Sequence, residues 1–210
     1  MPGREPAQRG GAVHSHPKEL VGRTLQVIGG MLAAVVVAIC LAVVLAAVFA
    51  AVRHRLPGAT DFGRVGTLAA CGFVAISLLP ALKYPANPPA VGDPDTVATR
   101  TIQYFSLIAA AIAVTWLAFL VRDRLRRRQW PGPYGAAAAT AVALAGYVLL
   151  VVIWPATPDS IPGDVTASLL WRFRVASLAE LAALWGTLGL ALGLLLTPRR
   201  RVAVPAGAAA

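Results

Sequence analysis

Five apolar runs dominate this chain, and each is long enough to cross a lipid bilayer. They extend from about Leu25 to Val52, Val65 to Leu82, Thr101 to Val121, Tyr134 to Ile153 and Val175 to Leu196. A run of about 18 residues, at ~1.5 Å per residue, covers the ~30 Å of a hydrocarbon core. The second run is the shortest and carries Pro80 near its end. In hydrocarbon every backbone N–H and C=O must find its partner within its own segment, so each run must be a helix. No run alternates apolar and polar residues with a period of two, which excludes strands. The sequence therefore predicts an all-α integral membrane protein, a bundle of about five transmembrane helices over residues 25–196. Residues 1–24 read as a disordered polar and basic tail, and residues 197–210 as a short basic, alanine-rich one.

Composition agrees. Hydrophobic residues make up 58% of the 210 and charged residues only 13%, against roughly 25% charged in a soluble domain. Too little polar surface exists to cover a globule, so the lipid bilayer is the chain's first partner. The net charge of +10 does not point to nucleic acid, because the arginines sit between apolar runs and no basic face with interleaved aromatics appears. Cys40 and Cys71 both lie inside apolar runs, at different estimated depths, and read as small hydrophobes. The basic start is too long, and the first run about twice too long, for a signal peptide.

Lysine and arginine set the orientation. Arg53, Arg55 and Arg64, the cluster Arg122, Arg124, Arg126, Arg127 and Arg128, and the tail residues Arg199, Arg200 and Arg201 fall on one side. Lys83, Arg100, Arg172 and Arg174 fall on the other, with Arg4, Arg9, Lys18 and Arg23 of the N-terminal tail. The short connections favour the first set as cytoplasmic. The N-terminus is then outside and the C-terminus inside, in a multi-pass protein of a bacterial inner membrane. Tyr84, Trp130, Tyr134, Trp154 and Trp171 flank the runs, where amphipathic rings anchor at the interface.

The least ordinary stretch is the second connection, LKYPANPPAVGDPDTVATRT. Pro85, Pro88, Pro89 and Pro94 force extended backbone whose carbonyls have no helical partner. Those carbonyls, with Asn87, Asp93 and Asp95, can hold a hard cation. A capping role is the stronger reading and does not exclude the other: Asp93 as N-cap, Pro94 at the first helical position, Asp95 against the helix dipole. The fourth connection adds Asp159 and Asp164 to the same face, the latter as a candidate cap.

Glu180 is the one acid within an apolar run. A carboxylate in hydrocarbon is costly, so it is expected to face the bundle interior, as a functional group or as a neutral hydrogen-bonding link between helices. Ser177 and Thr187 share its helical face. Gly189 and Gly193, with Gly186 nearby, allow close helix approach. His14 and His16 make an H-x-H pair that either picks up a borderline metal or is simply part of an unstructured tail. No nucleophile–base constellation, Walker motif or H-E-x-x-H appears, so no enzyme is predicted.

The segment GFVAISLLPALKYPANPPAVGDPDTVATRTIQYFSL, Gly72 to Leu107, resembles the signature region of the CbtA family of proposed cobalt-transporter subunits. LLWRFRVASLAELAALWGTLGLALG, Leu169 to Gly193, is similar to that family's last helix, and RTLQVIGGML, Arg23 to Leu32, more loosely to an earlier one. The likeness covers about Leu20 to Leu196, with the KYPANPPAVGDPDT run its specific part. It implies a membrane subunit of a cobalt uptake system linked to cobalamin biosynthesis, with Co²⁺ as the transported ion and no tightly bound cofactor. It also implies a small single-span, histidine-rich partner subunit, beside a possible homo-oligomer; the alternative role is a non-conducting scaffold that organises that partner. The residues it marks are Lys83, Tyr84, Pro85, Asn87, Pro88, Pro89, Gly92, Asp93 and Asp95 in the loop, and Trp171, Arg172, Phe173 and Arg174 at the start of the last helix. Asn87, Asp93, Asp95 and Glu180 are the candidate metal ligands. The resemblance further implies an additional apolar helix and an acidic stretch at the N-terminus, where this sequence is polar and basic.

The orientation is directly testable. Alkaline phosphatase fused to the C-terminus is expected to be silent, and the same reporter inserted between Lys83 and Arg100 active; the reverse pattern would invert the topology.

Overall fold

The structure is a computed structural model and describes residues 22–88, 94–157 and 165–198. Pro89, Gly92 and Asp93 of the signature loop, the histidine pair His14 and His16, and Asp159 and Asp164 lie outside the described residues. The chain divides into two units, residues 1–41 and 42–210. The described part of the first is the N-terminal portion of one helix, α1 (Arg23–Val52). Its near-continuous Ala, Val and Leu leave no polar face, which suits a helix that has lipid as its solvent.

The second unit begins with the last turns of α1 and continues through α2 (Asp61–Gly72), a π-helical stretch (Phe73–Leu78) and α3 (Leu79–Lys83). A 3₁₀ turn (Pro94–Thr96) then leads into α4 (Val97–Arg127), followed by α5 (Gly132–Ile153) and α6 (Ala167–Leu195). The segment from α2 to α3 is one rod of 23 residues, so five helices are long and apolar enough to cross a membrane, as expected. No strand occurs among the described residues.

Several helices run past the apolar runs that announce them. α4 extends to Arg127 and α6 starts at Ala167, eight residues ahead of Val175. Arginine is a good helix former, and its long stem lets the charge reach water while the backbone stays helical. The apolar run marks the hydrocarbon; the helix is longer.

The helix ends follow local chemistry. Thr60 caps α2, its hydroxyl accepting from Gly63 N–H at 3.2 Å, and Asp61 follows at the positive end of the dipole. Asp61 also receives Arg64 at 2.9 Å and Arg53 at 3.2 Å. α4 closes with Gln129 in the left-handed region (φ 60°) and Trp130 N–H donating to Leu125 O at 3.2 Å, a Schellman-type ending. Pro131 then opens the tight turn into α5.

Proline explains the π-helical stretch. Pro80 has no N–H and would crowd the carbonyl four residues back. The turn before it widens, with Leu79 N–H reaching Val74 O, and the rod continues rather than breaking.

Two pairs of helices pack most closely, α4 on α5 and α2 on α6. Ala75, Leu79, Leu107, Ala111 and Leu150 form one core cluster, and Phe49, Leu56 and Val65 a second. Between α2 and α6 the approach depends on glycine. A Cβ at Gly189 would fall 2.7 Å from Ala69 Cβ, one at Gly193 would fall 2.8 Å from the Phe62 ring, and one at Gly72 would overlap the Trp185 indole. Gly186, by contrast, has open space around it. Gly189→Val should therefore cost about 1–3 kcal/mol by overpacking, read as a lower unfolding midpoint in detergent. Gly186→Ala should leave the midpoint unchanged or raise it.

Candidate functional site

The signature loop is folded into the end of the bundle by its own polar side chains. α3 ends at Lys83, whose ammonium donates to Val151 O at 2.9 Å, in the last turn of α5. A cation suits that position, where the carbonyls at a helix C-terminus lack partners. The next residue, Tyr84, donates its hydroxyl to Pro155 O at 2.6 Å. Partial burial pushes this phenol above its usual pKa, which favours the protonated form that donates the bond. Trp154 Nε1 donates to Gln103 O of α4 at 3.1 Å. Tyr84 and Trp154 were expected as interfacial anchors; both are half-buried and spend their polar atoms on neighbouring helices, while Trp130, Tyr134 and Trp171 are exposed. Lys83, Tyr84 and Trp154 together fasten the rod Asp61–Lys83 and α4 to the end of α5.

Three residues further on, Asn87 meets α6. Its Oδ1 accepts from Arg174 Nη2 at 3.1 Å. Sequence reasoning marked both residues but did not pair them, since 87 positions separate them. The pairing joins the KYPAN stretch to the WRFR stretch and gives one structural role to both. Trp171 and Arg172, one turn earlier, are exposed, and Phe173 is half-buried.

Beside this contact lies a cleft of about 500 Å³, half open to the surface. Asn87, Arg100, Tyr104 and Arg174 contribute its polar wall, and Val97 and Phe105 part of its apolar one. Arg100 comes from the first turn of α4 and Arg174 from the second turn of α6, so two guanidinium groups line the same space. The Nε of Arg174 is buried with no acceptor. No aspartate or glutamate lines the cleft among the described residues.

Among the described residues, the candidate metal ligands Asn87, Asp95 and Glu180 lie respectively in the loop after α3, in the 3₁₀ turn before α4 and within α6. Asp95 is exposed in the 3₁₀ turn before α4, where the helix is preceded by Thr96 without a side-chain cap bond. The Asn87 carbonyl oxygen is occupied by Arg174. Glu180 lies six residues, or roughly 9 Å along the axis, deeper in α6 than Arg174. No group of three or more His, Cys, Asp or Glu residues that could hold a metal occurs among the described residues.

Glu180 also faces the other way from the expectation. It is exposed on the outer side of α6, together with Thr187, while Ser177 is half-buried. The reason is helical phase. Nine residues separate Glu180 from Gly189, and at ~100° per residue this places them on opposite sides of the helix. Gly189, Gly193 and Trp185 are committed to α2 and the π-helical stretch, so Glu180 is turned outward.

The interior polar contacts involve residues that the sequence did not single out. Ser77, buried in the π-helical stretch, accepts from Trp185 Nε1 at 2.9 Å. Thr115 of α4 and Tyr147 of α5 share a 2.6 Å hydrogen bond. Each is a small, β-branched or aromatic side chain that blends into an apolar run, and only the tertiary pairing reveals it.

Comparison with known proteins gives one finding. Neither the curated proteins nor the solved structures yield a match. The family model described as "Probable cobalt transporter subunit (CbtA)" matches residues 2–197. That span takes in all five helices, the signature loop and the Asn87–Arg174 contact, and the chain belongs to the CbtA family.

Proposed function

We propose that this chain is the membrane subunit of a cobalt uptake system linked to cobalamin biosynthesis, set in a bacterial inner membrane with its C-terminus in the cytoplasm. Family membership supports cobalt as the cargo. The observation that carries the subunit reading is the outward position of Glu180 in the middle of α6. An ionisable group facing lipid costs at least ~2.5–3.5 kcal/mol on insertion scales. A second subunit, or a second copy of this chain, covering that face removes the cost and makes the carboxylate available at the shared surface. In this reading Asp93 and Asp95 gather the divalent ion at the outer loop and Glu180 receives it within the membrane. A small histidine-rich single-span partner would supply the borderline nitrogen ligands that suit Co²⁺.

A second reading is favoured by the side chains of the signature loop themselves. Lys83, Tyr84 and Asn87 are spent on holding helices together. This fits a non-conducting scaffold that positions the partner and leaves the transport to it.

Cobalt uptake by a cobalt-limited host tests the first reading. Deletion of the gene should reduce uptake to background. Asp93→Asn and Glu180→Gln should each reduce it about tenfold, equivalent to ~1.4 kcal/mol of lost interaction with the ion. Unchanged uptake on deletion would sink the transport role. Purified chain in liposomes separates the two readings: Co²⁺ entry by the chain alone rules out the scaffold.

A further inference from the structure

We propose that the apolar groove between the end of α1, the rod Asp61–Lys83 and α4 holds an acyl chain of an anionic phospholipid, with the lipid phosphate at Arg55. The groove measures about 270 Å³ and lies wholly within the second unit. Val52, Leu68, Ile76, Ile112 and Trp116 contribute to its walls, and Arg55 joins them from the α1–α2 connection. Along α4 it runs from Ile112 to Phe119, seven residues or roughly 10 Å. Thr115 also lines it, but its hydroxyl is spent on Ala111 O and on Tyr147. Ile112 and Trp116 are exposed, so the groove opens sideways from the bundle. Walls of hydrocarbon offer no hydrogen bonds to a water-soluble ligand, and they regain close contacts when a hydrocarbon chain fills the space.

Charge selects the headgroup. The Arg55 guanidinium stacks on the Trp116 ring, 4.8 Å from its centroid, which holds the cation beside a side chain that lines the groove. Its Nε donates to His54 Nε2 at 3.4 Å. No carboxylate pairs with it among the described residues. Asp61 is taken by Arg53 and Arg64, and Asp123 lies seven residues past Trp116, roughly 10 Å along α4. Residues 53–64 and 122–128, which share this end of the spans, hold eight arginines against those two acids. Every other acid except Glu180, which lies within α6, falls by the order of the spans on the opposite side. Stacking engages the face of a guanidinium and leaves its edge for in-plane bonds to phosphate. Basic pockets between membrane helices take anionic headgroups in this way, whereas the choline of a zwitterionic lipid would be set among like charges. The inference is independent of the cobalt reading, because none of these residues is required to touch a metal.

The test uses the full-length chain in a mild detergent, with a trace of phosphatidylglycerol that carries a photoreactive diazirine on one acyl chain. Labelled peptides are mapped by mass spectrometry, and unlabelled phosphatidylglycerol or phosphatidylcholine competes. Label is expected within residues 48–56 and 112–119, and phosphatidylglycerol should compete at least tenfold better than phosphatidylcholine. Arg55→Gln should weaken labelling there about fivefold, the effect of one basic residue at an anionic headgroup. Arg126→Gln, exposed at the end of α4, removes the same charge away from the groove and should leave labelling unchanged. Val48→Trp narrows the groove at unchanged charge and should reduce the label on residues 112–119. Should Arg55→Gln not fold, Val48→Trp and Arg55→Lys carry the test, the latter keeping the preference for phosphatidylglycerol. Label spread evenly over the lipid-facing helices overturns the proposal, as does a groove left unlabelled because a second copy of the chain fills it. Equal competition by the two lipids, or an effect of Arg126→Gln as large as that of Arg55→Gln, overturns it too.

Discussion

Backbone hydrogen bonding without water is the constraint from which the rest of this structure follows. Within hydrocarbon an N–H can pair only with a carbonyl of its own helix, so every residue that fails to donate must be accommodated locally. Pro80 is the case in point. Its missing N–H falls in the second span, and the preceding turn takes a π-helical form that keeps the rod intact from Asp61 to Lys83. That widened turn places Ser77 where it accepts from Trp185 of α6. One proline thus sets the local geometry, and the geometry sets an interhelical bond.

Lipid gives no hydrophobic reward for bringing helices together, so the association has to come from close packing and a few polar contacts. The structure uses both, in different places. At α2 and α6 glycines bring the helices close enough that a Cβ at Gly72, Gly189 or Gly193 would collide. At the loop end Lys83 and Tyr84 donate to carbonyls at and just beyond the end of α5, and Trp154 donates to the Gln103 carbonyl of α4. Interhelical hydrogen bonds in a membrane average only ~0.6 kcal/mol each. These donors matter less as energy than as answers to carbonyls that the prolines and helix ends leave open.

Much of this was legible in the sequence, and the parts that were not have identifiable causes. The five helices follow from hydropathy because the bilayer imposes a minimum apolar length; Leu25–Val52 and Tyr134–Ile153 differ from the observed α1 and α5 by two residues at one end only. The start of α6 was missed by eight residues, because Arg172 and Arg174 end the apolar run without ending the helix. The close approach at Gly189 and Gly193 was readable, since small residues at that spacing have one use in a membrane helix. The face of Glu180 was not. Ala176, Ala179 and Ala183 make its side of α6 as smooth as the glycine side, and periodicity says which residues share a face without saying which face is covered. The partnership of Asn87 with Arg174 was illegible for a different reason: each looks like a solvated loop or interface residue until the fold brings two distant segments together.

The charges that result are unevenly placed, and this bears on how a cation could use the chain. At the loop end of the second unit Arg100 and Arg174 share one cleft, while the acid of α6 points away from the packed interior. On the outer face of α6 the carboxylate of Glu180 is exposed, and the small residues Ala176, Ala179 and Ala183 leave room for a neighbouring helix. Glu180 is therefore presented to whatever packs against that outer face, and not to the bundle interior that the glycines and loop donors hold closed.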